Sequence, residues 1–162
     1  MAVIPEKLAP APPAENLAWL LAQASHALTI EMTAALEDLG LSPRGHCVLS
    51  TAMTGEFTQT DLAHAVGLDK TTMVVTMDEL EAKGLAERRP SKTDRRARVI
   101  AVTKAGEKKV AQGKKLVEGV QASVLESLPA GQRDAFVRAL AGLVGGRLSE
   151  PCECGSTVRR RS

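Results

Sequence analysis

The sequence predicts a mostly α-helical protein with one small β-hairpin. Hydrophobic residues make up 44% of the 162 positions and charged residues 25%, which is typical of a folded globular chain. Only 2% of the residues are aromatic, so the core must be aliphatic, and such a core favours helices packed on helices. Apolar residues recur at three- and four-residue steps over most of the chain, and two short segments near its middle are typical of strands.

The first two predicted helices are separated by a clear stop and start signal. Apolar side chains follow a helical period over residues 16 to 39, and Gly40 is a typical C-terminal cap. Ser42 followed by Pro43 is a typical N-cap and first-turn pair. A second helix is therefore predicted over residues 43 to 53.

The next two predicted helices have the spacing of a helix-turn-helix. Thr58 is predicted to cap a short helix that runs through residue 66, and Asp69 to cap a longer helix over residues 70 to 83. Gly67 lies in the tight turn between them. In a helix-turn-helix, the start of the second helix lies in the major groove of DNA.

A basic hairpin follows. Residues 85 to 89 and 98 to 102 are predicted strands, and the polar segment between them is too long for a two-residue turn. Residues 86 to 104 contain seven basic residues and two acidic ones, although the whole chain has a net charge of only +2. The hairpin is therefore predicted to carry a cationic patch.

Two more helices complete the chain. Thr103 is predicted to cap a long helix ending at Pro129, and the last helix is predicted over residues 131 to 148. The small central module cannot cover the apolar faces of these helices and of the first helix, so a second copy of the chain is predicted to cover them. The predicted apolar stripes consist of Val110, Val117, Val120, Val124 and Leu128, and of Phe136, Leu140, Leu143 and Val144.

The predicted fold class is mostly α with a small β-hairpin wing, that is, a winged helix-turn-helix with a helical dimerisation arm. The predicted parts are a flexible N-terminal arm (1–13), a helical dimerisation region (14–54 and 103–148), a winged helix-turn-helix module (55–102) and a flexible C-terminal tail (149–162). No apolar run is long enough for a bilayer and the start lacks a secretory pattern, so a cytoplasmic protein is expected.

The longer helix of the helix-turn-helix divides into an anchored face and an outer face. Met73, Met77 and Leu80 are predicted to pack into the core. Lysine and threonine side chains can bind base edges or phosphates, and valine can pack on thymine methyl groups. An alternative is that one of the two valines belongs to the core. The predicted DNA contacts of this helix are Lys70, Thr71, Thr72, Val74 and Val75.

Further DNA contacts are predicted before and after this helix. Thr58 and Gln59 begin the shorter helix, and the arginines of the hairpin can enter a minor groove, although such clusters are often only solvated. Asp94 is predicted to hold a neighbouring arginine extended by a charge-assisted hydrogen bond. The predicted arginine contacts are Arg88, Arg95, Arg96 and Arg98.

Residues 58 to 110 resemble the MarR family of transcriptional regulators. The resemblance is carried by LEAKGL (80–85), ERR (87–89), DRR (94–96) and VTKAG (102–106). It implies a two-fold homodimer with interleaved terminal helices on a pseudo-palindromic operator. It also implies recognition helices in successive major grooves and wings in flanking minor grooves, with Arg96 entering the groove and Asp94 orienting it. Many relatives carry arginine or another polar residue at Val75, so the operator sequence is expected to differ.

The resemblance also implies a repressor released by a small aromatic or phenolic acid, or by oxidation of a cysteine. An aromatic ring offers a stacking surface, and an imidazole can pair with a carboxylate. Trp19 and His26 can equally be half-buried helix contacts, Arg44 can meet a DNA phosphate, and Cys47 can be an inert packed thiol. Redox sensing through Cys47 is the alternative function, which the absence of tyrosine disfavours. The predicted ligand contacts are Trp19, His26, Arg44, His46 and Cys47.

Other classes of protein are disfavoured. The sequence contains no G-x-S-x-G or H-E-x-x-H motif and no phosphate-binding glycine loop, so an enzyme is not predicted. No cofactor or metal is predicted, because Cys152 and Cys154 have no nearby histidine to complete a zinc site. A winged helix that binds only protein stays open, and the salt dependence of binding distinguishes it from a DNA-binding one.

Overall fold

A computed structural model describes residues 16–94 and 96–149 of the chain. The predicted N-terminal arm, Arg95, and all but the first residue of the predicted tail, with Cys152 and Cys154, lie outside these residues. The described chain forms, in order, α1 (Leu17–Leu36), a 3-10 turn (Glu37–Leu39), α2 (Pro43–Ala52), α3 (Gln59–Ala65), α4 (Lys70–Ala82), β1 (Ala86–Pro90), β2 (Arg98–Val102), α5 (Lys104–Glu126) and α6 (Ala130–Gly145). The predicted fold class is confirmed.

The helices begin at the predicted capping residues. Each capping side chain accepts a hydrogen bond from a backbone N–H in the first turn of its helix, at distances of 2.9 to 3.2 Å. These bonds satisfy backbone donors that have no partner within the helix. The residues concerned are Ser42, Thr58, Asp69 and Thr103.

The hairpin differs from its prediction by one residue in the first strand. β1 pairs with β2 in antiparallel register, from Ala86 opposite Val102 to Pro90 opposite Arg98. Leu85 is not part of β1, because its N–H donates to the carbonyl of Leu80 (2.9 Å) and closes the end of α4. Local periodicity cannot distinguish such a helix end from the first residue of a strand.

A third backbone segment joins the hairpin edge. The N–H of Ile100 donates to the carbonyl of Phe57 (2.9 Å), and Thr58 forms an isolated antiparallel bridge with Val99. These contacts, which the sequence analysis did not predict, link the start of α3 to the base of the hairpin.

The core is aliphatic, as the composition predicts. Leu36, Val48, Leu49, Leu62, Met73 and Met77 are fully buried. All of these except Leu36 form one cluster, into which Leu85 at the end of α4 and Ala86 and Ile100 of the hairpin also pack. The core therefore lies where α2, α3, α4, the hairpin and the start of α5 meet. Within the described residues, no helix is both long enough and apolar enough to cross a bilayer.

The chain divides into two compact units, one up to Val120 and one from Gln121, and α5 contributes to both. In the first unit, Val110 and Val117 are buried as predicted, together with Gly106 and Gly113. Val124, which also belongs to the predicted stripe, is 39% exposed in the single chain. The buried face of α5 thus combines valines with glycines, which sequence periodicity does not identify as contacts.

The second unit has no buried residue in α6, which lies close to its predicted position. Its apolar side chains face outward, and Phe136 is 50% and Val144 60% exposed. This exposure is consistent with the expectation that a second copy of the chain covers these side chains.

We expect Gly106→Ala to destabilise the first unit. An added Cβ would overlap the carbonyl oxygen of Leu85 and would lie 2.7 Å from Cγ1 of Val102, so backbone would have to move. The free energy of unfolding should fall by about 1–3 kcal/mol, the usual effect of overpacking. Urea denaturation followed by circular dichroism measures the change.

Gly119→Ala is the matched control, because a Cβ at this helical position meets no atom within 4 Å. It should raise the free energy of unfolding by up to about 1 kcal/mol, since alanine is the better helix former. Equal effects of the two substitutions would contradict the close approach at Gly106.

Candidate nucleic-acid interface

The turn between α3 and α4 is tightly closed by backbone hydrogen bonds. The N–H of Gly67 donates to the carbonyl of His64 (3.2 Å), and the N–H of Leu68 donates to that of Ala63 (2.8 Å). Gly67 has a φ of +69°, a conformation that favours glycine. The relative position of the two helices is therefore set within a few residues, as a helix-turn-helix requires.

The two faces of α4 are as predicted. Met73, Met77 and Leu80 are buried, and Thr76 shares their face, with its hydroxyl donating to the carbonyl of Thr72 (2.7 Å). On the outer face, Lys70 and Thr71 are exposed, Val74 is 42% exposed and Val75 is 50% exposed. The alternative that one of the valines belongs to the core is wrong for this chain.

Asp69 organises the start of α4. One carboxylate oxygen accepts from the N–H of Thr72 (2.9 Å) and the other accepts from its hydroxyl (2.6 Å). The hydroxyl bond and then the backbone bond hold the pKa of Asp69 below its ordinary value. The hydroxyl proton of Thr72, a predicted DNA contact, is therefore engaged in the cap.

Thr58 forms a comparable pair of hydrogen bonds at the start of α3. Its hydroxyl donates to Oδ2 of Asp61 (2.7 Å) and accepts from the N–H of the same residue (3.2 Å). The hydroxyl protons of Thr58 and Thr72 are thus both used at helix ends. Each hydroxyl oxygen can still accept a hydrogen bond from another partner, but it cannot donate one.

Arg88, another predicted DNA contact, is engaged within the protein. Its guanidinium nitrogens donate to Gln59 and Asp78, both at 2.9 Å, and to Glu81. This differs from the sequence prediction, because the partners lie on α3 and α4 and only the fold brings them to β1. Arg88 and Gln59, which are both predicted DNA contacts, are therefore joined by a hydrogen bond.

The wing is shaped by Ser91 and Asp94. Ser91 is 7% exposed, and its hydroxyl bonds to Glu56 (3.2 Å) and accepts from the N–H of Thr93 (3.1 Å). Asp94 accepts from the backbone N–H of Arg96 (2.9 Å), so its hydrogen bond to Arg96 is to the backbone and not, as predicted, to a guanidinium. A local turn explains the difference, because short acidic side chains readily accept from N–H groups two residues onward.

The basic side chains at the tip of the wing are exposed. They are Lys92, Arg96 and Arg98, of which the last begins β2. Arg95, also a predicted contact, lies outside the described residues. The described wing thus presents cations on a loop that hydrogen bonds hold in shape.

Two adjoining clefts border α1 in the first unit. One of about 740 Å³ is lined by Arg44 and Cys47 of α2 together with Glu79 of α4. The other, of about 640 Å³, is lined by His26 of α1 and by Lys83. Cys47 is exposed, so the interpretation of this residue as a packed thiol is wrong for this chain.

The other two predicted ligand residues do not line these clefts. His46 is buried, with Nε2 3.4 Å from the carbonyl oxygen of Val110, and its ring packs where Gly113 has no side chain. Trp19 is partly buried on α1. Of the five predicted ligand contacts, His26, Arg44 and Cys47 therefore line the clefts. His46 and Trp19 do not.

The sequence analysis missed a polar stripe on α1 that lines the larger cleft. Ser25, Thr29 and Thr33 follow a four-residue step, which places them on one helix face. Thr29 and Thr33 donate to carbonyls one turn earlier, at 2.8 and 2.7 Å. The spacing was visible in the sequence, but only the packing of α1 shows that this face borders a cleft.

No group of His, Cys, Asp and Glu in the described part of the chain is arranged to hold a metal ion.

Comparison with known proteins agrees with this geometry. A family profile described as MarR family matches residues 39–97, which include α2, α3, α4 and most of the wing. Over these residues the chain is similar to the MarR family. The resemblance inferred from the sequence motifs is therefore confirmed.

Solved structures extend the likeness to MarR-family proteins beyond the matched segment. The repressor CouR bound to a 23-mer DNA duplex is 27% identical, with a TM-score of 0.76 over 85% of this chain and 99% of that chain. CouR from Rhodococcus jostii RHA1 bound to p-coumaroyl-CoA is 26% identical, with a TM-score of 0.72 over 85% and 94%. A MarR-family transcriptional regulator from Rhodococcus sp. RHA1 is 25% identical, with a TM-score of 0.73 over 82% and 95%.

We expect the cap at Asp69 to make the stability of the helix-turn-helix module pH-dependent. Because its pKa is lowered in the folded state, the ionised cap stabilises the fold above the ordinary aspartate range, and this contribution disappears as pH falls through the lowered pKa. Asp69→Ala should lower the thermal midpoint at pH 7, measured by circular dichroism.

Asp69→Asn is the matched control, because the amide oxygen still caps the helix but does not titrate. The difference in thermal midpoint between the unchanged protein and Asp69→Asn should be constant near neutral pH and should shrink below about pH 4. A difference that persists at pH 2.5 would show that ionisation of Asp69 is not involved.

Proposed function

We propose that this protein is a homodimeric, sequence-specific repressor that binds double-stranded DNA in the cytoplasm, is released by a small-molecule effector, and has no enzymatic activity. The observation that carries the proposal is the exposed start of α4, capped by Asp69 and held by its buried face, together with an exposed basic wing in the same unit. The DNA-bound structure of the related repressor CouR supports it.

In this proposal, α4 reads bases in the major groove. Lys70 and Thr71 supply hydrogen-bond donors at the helix start, where the backbone also favours negative charge. Val74 and Val75 supply apolar contact for thymine methyl groups. Their exposure of 42% and 50% is the reason to assign them this role.

The wing supplies contacts that depend on charge. Arg96 and Arg98, with Lys92, are exposed on a loop that Ser91 and Asp94 hold in shape. Arginine in a narrow minor groove is favoured by the negative potential there. We therefore assign Arg96 to the minor groove, and Arg95 belongs to the same proposal from its place in the sequence.

A second copy of the chain would cover the apolar side chains that the single chain exposes. Leu17 (58%), Leu20 (42%) and Ile30 (56%) are exposed on α1, and Phe136 and Val144 are exposed in the second unit. Such surfaces mark interaction sites. A two-fold dimer also presents two α4 helices, which is what a pseudo-palindromic operator needs.

The cleft bordered by Arg44 and Cys47 is the proposed effector site. Its volume of about 740 Å³ falls in the range of small-molecule pockets. Arg44 offers a cation for an acid group, and His26 lies at the adjoining cleft. The p-coumaroyl-CoA complex of CouR supports an effector with a phenolic acyl group.

A redox-responsive repressor is the second candidate function. It is favoured by the exposure of Cys47 and by its place in the same cleft as Arg44. A thiol there is accessible to oxidants, and a change of its size and charge would alter the cleft.

We expect Arg96→Ala to weaken binding to many duplex sequences and to reduce the slope of log affinity against log salt by about one, because one cation that displaces DNA counterions is lost. Gel-shift titrations at three salt concentrations measure both. Lys115→Ala on the exposed side of α5 is the control and should leave the slope unchanged. Equal affinity of Arg96→Ala and the unchanged protein at every salt concentration would rule out the wing assignment.

We expect p-coumaroyl-CoA or p-coumarate to raise the thermal midpoint of the protein and to release a bound duplex. Arg44→Met should weaken this response by about tenfold or more without changing DNA affinity in the absence of effector, because Arg44 would pair with the carboxylate of p-coumarate or with a phosphate of its CoA ester. Cys47→Ser is the control and should respond normally. The redox candidate predicts a different result. Neither compound would release DNA, whereas peroxide would release the unchanged protein and not Cys47→Ser.

A further inference from the structure

Arg88 uses every nitrogen of its side chain inside the protein. Nε donates to Oε1 of Gln59 (2.9 Å), Nη2 donates to Oδ1 of Asp78 (2.9 Å), and Nη1 donates to Glu81. The Arg88 side chain is 27% exposed, so solvent competes only partly for these bonds. The guanidinium thus joins β1 to both helices of the helix-turn-helix.

The local charge around Arg88 is negative. One guanidinium faces the two carboxylates of Asp78 and Glu81, and Glu81 also accepts from the backbone N–H of Arg88 (2.8 Å). A phosphate approaching this cluster would meet a net excess of negative charge. Although Arg88 lies in the basic segment of the sequence, its surroundings are unsuited to a phosphate contact.

The contact with Gln59 settles how the amide of that side chain is oriented. The Nε–H of arginine can only donate, so its partner must be the amide oxygen and not the amide nitrogen. One of the two lone pairs of the Gln59 carbonyl oxygen is therefore used, and both amide N–H donors remain. Gln59 also borders a groove of about 170 Å³ with Lys70 and Val74, both on the outer face of α4.

We propose that Arg88 is a positioning residue that orients the amide of Gln59, so that its N–H groups donate to a base edge in the major groove. The acceptor is N7 of a purine or O6 of guanine. This inference rests on the DNA-binding function proposed above, and it assigns Gln59 a specificity role that depends on a residue of β1.

The test is a double-mutant cycle on a duplex that the unchanged protein selects from a random-sequence pool. Gln59→Ala removes the donor and should weaken binding roughly three- to tenfold, the usual effect of one hydrogen bond. Its salt slope should be unchanged, because glutamine carries no charge. Arg88→Lys keeps the charge but loses the planar arrangement of donors, and should weaken binding to a similar extent.

The combined variant decides whether the two residues act together. If Arg88 acts through Gln59, Gln59→Ala with Arg88→Lys binds no more weakly than either single variant. Arg138→Lys, the same change at an exposed position of α6, is the control and should bind normally. Fold losses that multiply, or an Arg88→Lys variant with unchanged affinity, would overturn the proposal. Thermal midpoints of all variants confirm that each is folded at the assay temperature.

Modified duplexes identify the acceptor. The effect of Gln59→Ala should disappear when one purine is replaced by its 7-deaza analogue, which lacks N7, or when one guanine is replaced by 2-aminopurine, which lacks O6. Disappearance on replacing one phosphate by methylphosphonate would instead show a backbone contact and overturn the assignment to a base edge.

Failure of the inference differs from failure of the proposed function. If the unchanged protein selects no sequence, and Arg96→Ala has no effect on any duplex, DNA binding itself is rejected and the inference with it. If selection succeeds and Arg96→Ala lowers the salt slope, but Gln59→Ala and Arg88→Lys act independently, only the inference is rejected.

Discussion

Burial of the Met73, Met77 and Leu80 side chains holds α4 in the core, and the rest of the candidate interface depends on this contact. Each such side chain contributes about 1.5–3 kcal/mol when it is removed from water. The three lie on one helix face, so their burial determines which residues face outward. Lys70, Thr71, Val74 and Val75 are exposed because the opposite face is anchored. The tight turn at Gly67, together with the packing of both helices in one core cluster, then sets the position of α4 relative to α3.

The basic residues of the hairpin divide into two groups with different physical roles. Arg88 is bonded to Gln59, Asp78 and Glu81, so its charge is compensated within the protein. Arg96 and Arg98 are exposed near the tip. In the described part of the chain, no carboxylate forms an ion pair with either guanidinium. A count of charges along the sequence treats these arginines alike. The fold distinguishes them, because carboxylates of α4 reach β1 but not the tip.

Close approach of α5 to the core is a second constraint on the architecture. Gly106 lies against the carbonyl of Leu85 and the Val102 side chain, and Gly113 lies against His46 and Leu36. A side chain at either glycine would push the helix away from the hairpin or from α2. The buried imidazole of His46 belongs to this contact, which explains why it does not line the clefts. The same helix continues into the second unit, where Val124 is exposed.

The sequence by itself determined the order of the elements, their starts and stops and the outer face of α4, because caps, turn glycines and periodicity act over a few residues. It also showed the resemblance to the MarR family, because the motifs at residues 80–85 and 94–96 are local. Tertiary structure alone decided the partners of Arg88, the exposure of Cys47, the burial of His46 and the cleft beside Thr29 and Thr33. Those features join residues far apart in the chain, such as Gln59 and Arg88. Their contacts follow from how helices pack, which no local pattern of residues encodes.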